Sequence, residues 1–131
     1  MSDANEGDKF KPDVISELND GANYPPPDLT YLKEMADGDE SFFNEIITYF
    51  VESCPDSLRS MREFALSGDH EKLRFLAHTI LPQLTFVGIL AAIPFFEKIE
   101  RDSKLNDDLF VELERAIIII NYGIDDLKKM I

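Results

Sequence analysis

The spacing of apolar residues constrains the fold of this chain more than any other feature. Toward the end of the chain, apolar residues recur at steps of three and four, at Leu109, Leu113, Ala116, Ile117, Ile120, Ile124 and Leu127. Because an α-helix turns once every 3.6 residues, this spacing places them on one side of a helix, where they can be buried together. The isoleucines at 117–120 favour a strand locally, but their flanks have helical spacing. The pattern therefore predicts an all-α fold.

Similar spacing continues almost without interruption from Asp28 to the end of the chain. Glycines and aspartates divide it into a short helix from Asp28 to about Ala36 and four longer ones, from Glu40 or Ser41 to Ser67, from Asp69 to near Gly88, from about Leu90 to Lys104 and from about Asp107 to Lys129. Pro55 and Pro82 each remove a backbone hydrogen bond, so we expect a bend at both. Four substantial helices with short connections predict an antiparallel, up-down-up-down four-helix bundle with a short extra N-terminal helix.

The first part of the chain has a different composition. Pro25, Pro26 and Pro27 cannot enter a regular helix or sheet ladder, and glycines and another proline precede them. We therefore predict that residues 1–27 are a tail or linker and that residues 28–131 form the bundle domain. Whether apolar residues of the tail pack back on the domain as a helical turn is left open.

Charge and composition narrow the classes of partner. The chain has 26 acidic and 13 basic residues and a formal net charge of −13, which repels nucleic acids and anionic membranes and is compatible with a protein partner. The N-terminus lacks the blocks of a signal peptide, and no apolar run is long enough to span a bilayer. A single cysteine, Cys54, excludes an intrachain disulfide. We expect a cytoplasmic monomer.

One histidine lies on the wrong side of its helix to be a core residue. On a helical projection of residues 71–87, one side collects the apolar residues Leu73, Leu76, Ala77, Ile80, Leu84 and Val87. The opposite side collects Glu71, Arg74, His78, Pro82 and Thr85. A histidine on the outer face of an anchored helix can react with a molecule that arrives from solution.

Three chemistries suit such a histidine. A metal site needs ligands at helical spacing, whereas Arg74 and Pro82 flank His78. A hydrolase needs a nucleophile and a carboxylate that orients the ring; no nucleophile-elbow motif is present, although spatial neighbours remain open. The third chemistry is phosphoryl acceptance by His78 itself. Imidazole ordinarily titrates near pH ~6.5, so its nucleophilic neutral form is populated near neutrality. Arg74, one turn earlier, can attract the anionic phosphoryl group.

The residues around His78 resemble a known family. The segment 77–80 (AHTI), with Gly88 ten positions after the histidine, is similar to the histidine-containing phosphotransfer (HPt) domain, and the resemblance covers about residues 28–130, including 28–33 (DLTYLK) and 38–42 (GDESF). It implies a four-helix bundle whose histidine, here His78, relays phosphoryl groups between aspartates of receiver domains in response regulators or hybrid sensor kinases. It also implies a phosphocarrier with no cofactor or metal of its own, because the receiver brings the divalent metal. The sequence has no nucleotide-binding loop, so we expect no ATP site.

The chain departs from the family just after the histidine. HPt domains usually have lysine, glycine and serine at the positions that Leu81, Pro82 and Gln83 occupy here. The positive charge of the lysine is absent, so Arg74, a more distant Lys72 or the receiver must compensate. Pro82, like glycine, is compact enough to let a partner approach closely. Gln83 either hydrogen-bonds phosphate oxygens or is an ordinary surface amide.

We predict that the receiver docks on Phe75, Leu81, Thr85 and Phe86. Packing against neighbouring helices is the alternative role for the two phenylalanines and for Leu81. Two other functions stay open for the chain: a non-catalytic helical adaptor that binds a receiver or kinase without carrying phosphate, and a helical bundle in which the surface around His78 is incidental.

Overall fold

The structure of the protein, a computed structural model, describes residues 24–102 and 107–131, and all regular secondary structure in these residues is helical. The elements are α1 (Thr30–Ala36), α2 (Glu40–Ser67), α3 (His70–Val87), a 3₁₀ turn (Leu90–Ala92), α4 (Ile93–Arg101) and α5 (Asp107–Lys128). The all-α prediction is confirmed for the described residues, and so are the bounds of α1, α2, α3 and α5 to within two residues.

An aspartate side chain starts each of the helices α2 and α3, and a glycine ends α2. The side chain of Asp39 accepts from the backbone N–H of Phe42 at 3.0 Å and starts α2, and that of Asp69 accepts from Lys72 at 3.2 Å and starts α3. Both carboxylates satisfy an N–H group that has no partner within the helix. Gly68, in the left-handed region with φ of 82°, ends α2.

The prediction for the fourth helix was wrong at both ends. Residues 90–92 form a 3₁₀ turn instead of α-helix, because Pro94 lacks the N–H that would bond to the carbonyl of Leu90, and the N–H of Ile93 bonds there instead. The helix ends at Arg101, and Asp102 is already extended with ψ of 138°. Lys104, the predicted end, lies outside the described residues.

The helices enclose one hydrophobic core. Helix α2 packs against α3 and α5, and α4 packs against α3 and α5, while α1 lies against α2 and α3. All seven apolar positions that the spacing selected on α5 are buried. The largest fully buried side chains come from all five helices: Leu32, Ile47, Phe50, Met61, Leu73, Ile80, Leu84, Phe96, Ile99, Leu113, Ile120 and Leu127. The apolar face of α3 is buried in this core, and its burial fixes how the helix is rotated about its axis. The opposite face of α3 is therefore turned toward solvent.

Close backbone contact joins the end of α3 to the chain before α1. The N–H of Asp28 donates to the carbonyl of Gly88 at 2.9 Å. A Cβ at Gly88 would lie 1.9 Å from the carbonyl oxygen of Asp28, and φ of Gly88 is +74°, so only glycine fits. The ring of Tyr24 packs on that of Tyr122, with centroids 5.4 Å apart. The end of the predicted tail thus contacts the domain, while residues 1–23 lie outside the described residues.

Both internal prolines lie within uninterrupted helices. Helix α2 continues through Pro55 and helix α3 through Pro82. A bend at either proline stays a prediction. Among the described residues, no helix combines the length and apolar character that crossing a membrane requires.

Candidate functional site

His78 lies on the outer face of α3, as the helical projection predicted. Its side chain retains 72 % of its accessible surface. The other four residues predicted on this face, Glu71, Arg74, Pro82 and Thr85, are exposed as well. Ala77, the preceding residue, is fully buried. The core therefore anchors the backbone of the histidine while the imidazole ring stands in solvent.

A carboxylate from a different helix holds one nitrogen of this ring. Nδ1 of His78 lies 2.6 Å from Oε2 of Glu100, on α4. An ionised carboxylate can only accept a hydrogen bond, so the proton of the neutral ring is on Nδ1. The second nitrogen, Nε2, is then the one with a free lone pair, and it lies on the side of the ring away from Glu100. A histidine with one nitrogen engaged and a side chain that is 72 % exposed is arranged as a nucleophile.

The sequence interpretation missed Glu100. Helices α3 and α4 are consecutive and pack against each other, with the connection around residues 88–92 between them. In such a helical hairpin, positions equally distant from the connection become neighbours, which pairs residues near 78 with residues near 100. This register was available from the predicted helix limits and could have identified the glutamate.

Arg74 supplies the positive charge at the site. Arg74 lies one helical turn before His78 on α3. Its Nε donates to the backbone carbonyl of Glu100 at 3.1 Å. Arg74, Glu71, Phe75, His78 and Glu100 line an open depression of about 320 Å³. The Nε bond leaves the two NH₂ groups of the guanidinium for another acceptor. Arg74 can therefore attract an anion toward the depression in which His78 stands.

Lys72, the more distant cation considered from the sequence, is engaged elsewhere. Its Nζ lies 3.7 Å from Asp69, at the start of α3, and 5.6 Å from the centroid of the Phe64 ring. It does not line the depression that contains His78. The structure therefore brings Arg74 into the site and does not bring Lys72 there.

The remaining predicted neighbours follow His78 along α3. Pro82 is exposed one turn later. Gln83 is half-buried, and its Nε2 lies 3.5 Å from the carbonyl of Thr79, a weak bond within the helix. The hydroxyl of Thr85 lies 3.5 Å from the carbonyl of Leu81. None of these three lines the depression around His78.

The four predicted docking residues differ in exposure. Phe75 is 67 % exposed, more than any other large apolar side chain among the described residues. Leu81 and Phe86 are half-buried and pack against the core, and the ring of Phe86 contacts that of Tyr31 with centroids 5.3 Å apart. Thr85 is exposed. Packing therefore accounts for Leu81 and Phe86, whereas the ring of Phe75 is open to a partner.

Other reactive groups lie away from this surface. Cys54 is buried in α2, and burial raises the pKa of its thiol to about 12, so the thiol stays protonated and unreactive near neutrality. Within the described parts of the chain, no three histidine, cysteine, aspartate or glutamate side chains converge as metal ligands.

Comparisons with models of protein families, with curated proteins and with solved structures found no match to this chain.

Proposed function

We propose that the chain is a histidine phosphotransfer protein of the HPt class, in which His78 accepts a phosphoryl group on Nε2 and passes it on. The observation that carries the proposal is the state of the imidazole: it is 72 % exposed, with Nδ1 bonded to Glu100 at 2.6 Å. The proposal includes the finer architecture, an antiparallel, up-down-up-down bundle of α2 to α5 with α1 as the extra helix. The pairwise contacts of these four helices support it.

The proposed reaction is a transfer between an aspartyl phosphate and the histidine. The lone pair of Nε2 forms a bond to phosphorus while the phosphorus–oxygen bond to the aspartate breaks, and its electron pair leaves with the carboxylate. Phosphoryl transfer depends mainly on alignment and on stabilisation of charge. His78 on a core-anchored helix supplies the alignment, and the guanidinium of Arg74 offsets the charge of the phosphoryl oxygens.

The proposed partners are receiver domains of response regulators or hybrid sensor kinases, which hold the phosphorylated aspartate and its divalent metal. On this proposal the chain is a cytoplasmic phosphocarrier and not an enzyme with its own ATP site. The exposed ring of Phe75 beside His78 supports docking of a protein here, because aromatic side chains are enriched in interfaces between proteins. The formal net charge of −13 disfavours nucleic acid as the partner.

The test is transfer of label from a phosphorylated receiver. Receivers from the source cell are labelled at the aspartate with ³²P and mixed with the wild type and with His78→Gln. We expect acid-labile, alkali-stable label on the wild type alone. The matched control is His70→Gln, which removes the other histidine and should leave transfer unchanged.

Two outcomes contradict the proposal. Equal label on wild type and His78→Gln places the phosphoryl group on another residue. Receivers that bind the chain with unchanged affinity for His78→Gln, but never transfer label to it or to the wild type, indicate the non-catalytic adaptor instead.

A further inference from the structure

We propose that residues 12–20, in the N-terminal part of the chain, form an amphipathic helix that docks on the outward face of α5 over Ile118. The contact is made within one chain, so these residues belong to the domain. The docking surface is separate from the candidate site, because its depression and the one around His78 have no lining residue in common.

Ile118 is buried without being part of the hydrophobic core. On a helical projection it lies at the centre of the face of α5 opposite the core residues Ala116, Ile120 and Leu127. It is nevertheless only 9 % exposed. The other buried apolar residues of α5 all belong to the core cluster of the described residues, and Ile118 does not. The core therefore does not account for the burial of Ile118.

The side chains around Ile118 on this face are exposed. They are Arg115, Asn121, Tyr122 and Asp125. The last three line an open depression of about 310 Å³ together with Ile118. An isoleucine that is buried on an otherwise exposed face needs apolar cover from outside its own helix. A segment that lies across α5 supplies that cover.

The described part of the chain begins beside this depression. Its first residue is Tyr24, whose ring packs on that of Tyr122 with centroids 5.4 Å apart. Ile118 is one helical turn from Tyr122, about 6 Å along α5. The chain from Leu18 to Tyr24 can span up to about 20 Å. Residues 12–20 are therefore tethered next to Ile118 and can reach it.

Residues 12–20 lie outside the described residues, and their sequence predicts a short amphipathic helix. Pro12 suits the first helical position, Asp13 the first turn, and Gly21 the residue after the helix end. At helical spacing the apolar and the acidic side chains fall on different sides: Val14, Ile15 and Leu18 on one, Asp13, Glu17 and Asp20 on the other. The apolar side matches the apolar floor of the depression.

Tethering and charge favour this segment over a second copy of the chain as the occupant. A flexible tether of a few residues gives the segment an effective concentration on the order of millimolar at α5. A second copy would instead bring together two chains that each carry a formal net charge of −13, which repel each other.

The test measures how well position 118 is covered in the whole chain. Ile118→Cys introduces a thiol there, and Asn121→Cys introduces one at an exposed position of the same face. The native thiol of Cys54 does not interfere, because it is buried and stays protonated. A thiol-specific disulfide reagent at pH 8 then reports the accessibility of each introduced thiol as a rate.

We expect the thiol of Ile118→Cys to react at least about tenfold more slowly than that of Asn121→Cys, because a covered thiol reacts only when the covering segment opens. Adding Val14→Ser and Leu18→Ser removes most of the apolar side of the segment. That change should raise the rate for Ile118→Cys about tenfold, toward the rate for Asn121→Cys. Circular dichroism should show that the bundle itself stays folded.

The matched control is Ser16→Ala with Asp20→Ser, which changes the opposite side of the predicted helix and should leave the rate for Ile118→Cys unchanged. Equal rates for Ile118→Cys and Asn121→Cys, each in the otherwise unchanged chain, would mean that nothing covers the position and would overturn the proposal. Slow labelling that persists after the two apolar substitutions would overturn it as well. A rate that then falls as protein concentration rises would identify a second copy as the occupant.

Discussion

The ion pair between Arg62 and Glu114 allows a quantitative prediction for the stability of the scaffold. Nε and an NH₂ group of Arg62 donate to the two oxygens of Glu114 at 2.7 and 2.8 Å, joining α2 to α5. The Glu114 side chain is only 3 % exposed, whereas that of Arg62 is 40 % exposed. The substitution Arg62→Met therefore leaves a carboxylate in the core with neither its partner nor water.

The cost follows from the charge that is left behind. Leaving one charge of a buried pair without its partner costs about 3–5 kcal/mol, because the remaining carboxylate has lost its water and has no partner in exchange. We therefore expect Arg62→Met to lower the free energy of unfolding by about 3–5 kcal/mol at pH 7.

Urea unfolding at pH 7, followed by circular dichroism, measures this loss. The matched control is Arg59→Met, because Arg59 makes an equally short contact of 2.6 Å with Asp56, but both side chains are well exposed, at 63 % and 77 %. That variant should lose less than about 1 kcal/mol. Arg62→Met combined with Glu114→Leu should recover most of the stability. The reasoning is refuted if Arg62→Met costs no more than Arg59→Met, or if the added Glu114→Leu recovers none of the loss.

The remaining predictions concern docking and the buried thiol. Phe75→Ala should weaken the interaction with a receiver about tenfold, read from the concentration dependence of transfer, because the ring is exposed beside His78. Tyr49→Ala, on an equally exposed ring of α2, should change nothing; equal effects of the two substitutions would count against a docking surface at Phe75. Burial raises the pKa of Cys54 from 9.0 to about 12, so the thiol ionises more easily in the unfolded chain than in the folded one. The contribution of this buried thiol to the free energy of unfolding should therefore be complete below pH 9.0 and be lost as the pH rises through about 12. A thiol-specific disulfide reagent should label native Cys54 at pH 8 only at the rate of unfolding, and rapid labelling would contradict the burial argument.

The helices could be predicted because apolar spacing reports burial directly. On α5, Leu113, Ile120 and Leu127 are seven residues apart, and each is buried at 1 % exposure or less. The same reasoning placed His78 outside and Ala77 inside, since a well-anchored helix leaves little freedom for its opposite side. Capping residues predicted where the helices begin. The side chain of Asp69, for example, accepts a hydrogen bond from a backbone N–H in the first turn of α3.

Other features depended on information that spacing does not carry. The start of α4 was decided by a missing N–H at Pro94, which a count of apolar positions does not detect. The sequence left open whether Phe75 packs against neighbouring helices or is available to a partner, and in the structure its side chain is 67 % exposed. Glu100 became part of the site through the pairing of two helices. Periodicity describes each helix by itself, whereas a site is formed between helices.

Position 81 shows how the core and the site compete for one residue. It lies three residues after His78, where HPt domains usually have lysine, but Leu81 is half-buried and packs against the core. That position therefore contributes apolar contact here and no charge. Among the residues that line the depression, Arg74 is the cation, and it lies on the preceding turn of α3. If His78 carries a phosphoryl group, Arg74 offsets its negative charge from the preceding turn of α3, and Pro82, one turn after the histidine, has no charge of its own. We therefore expect a partner to bring its own cation over Pro82, whose compact, exposed ring leaves room for that approach.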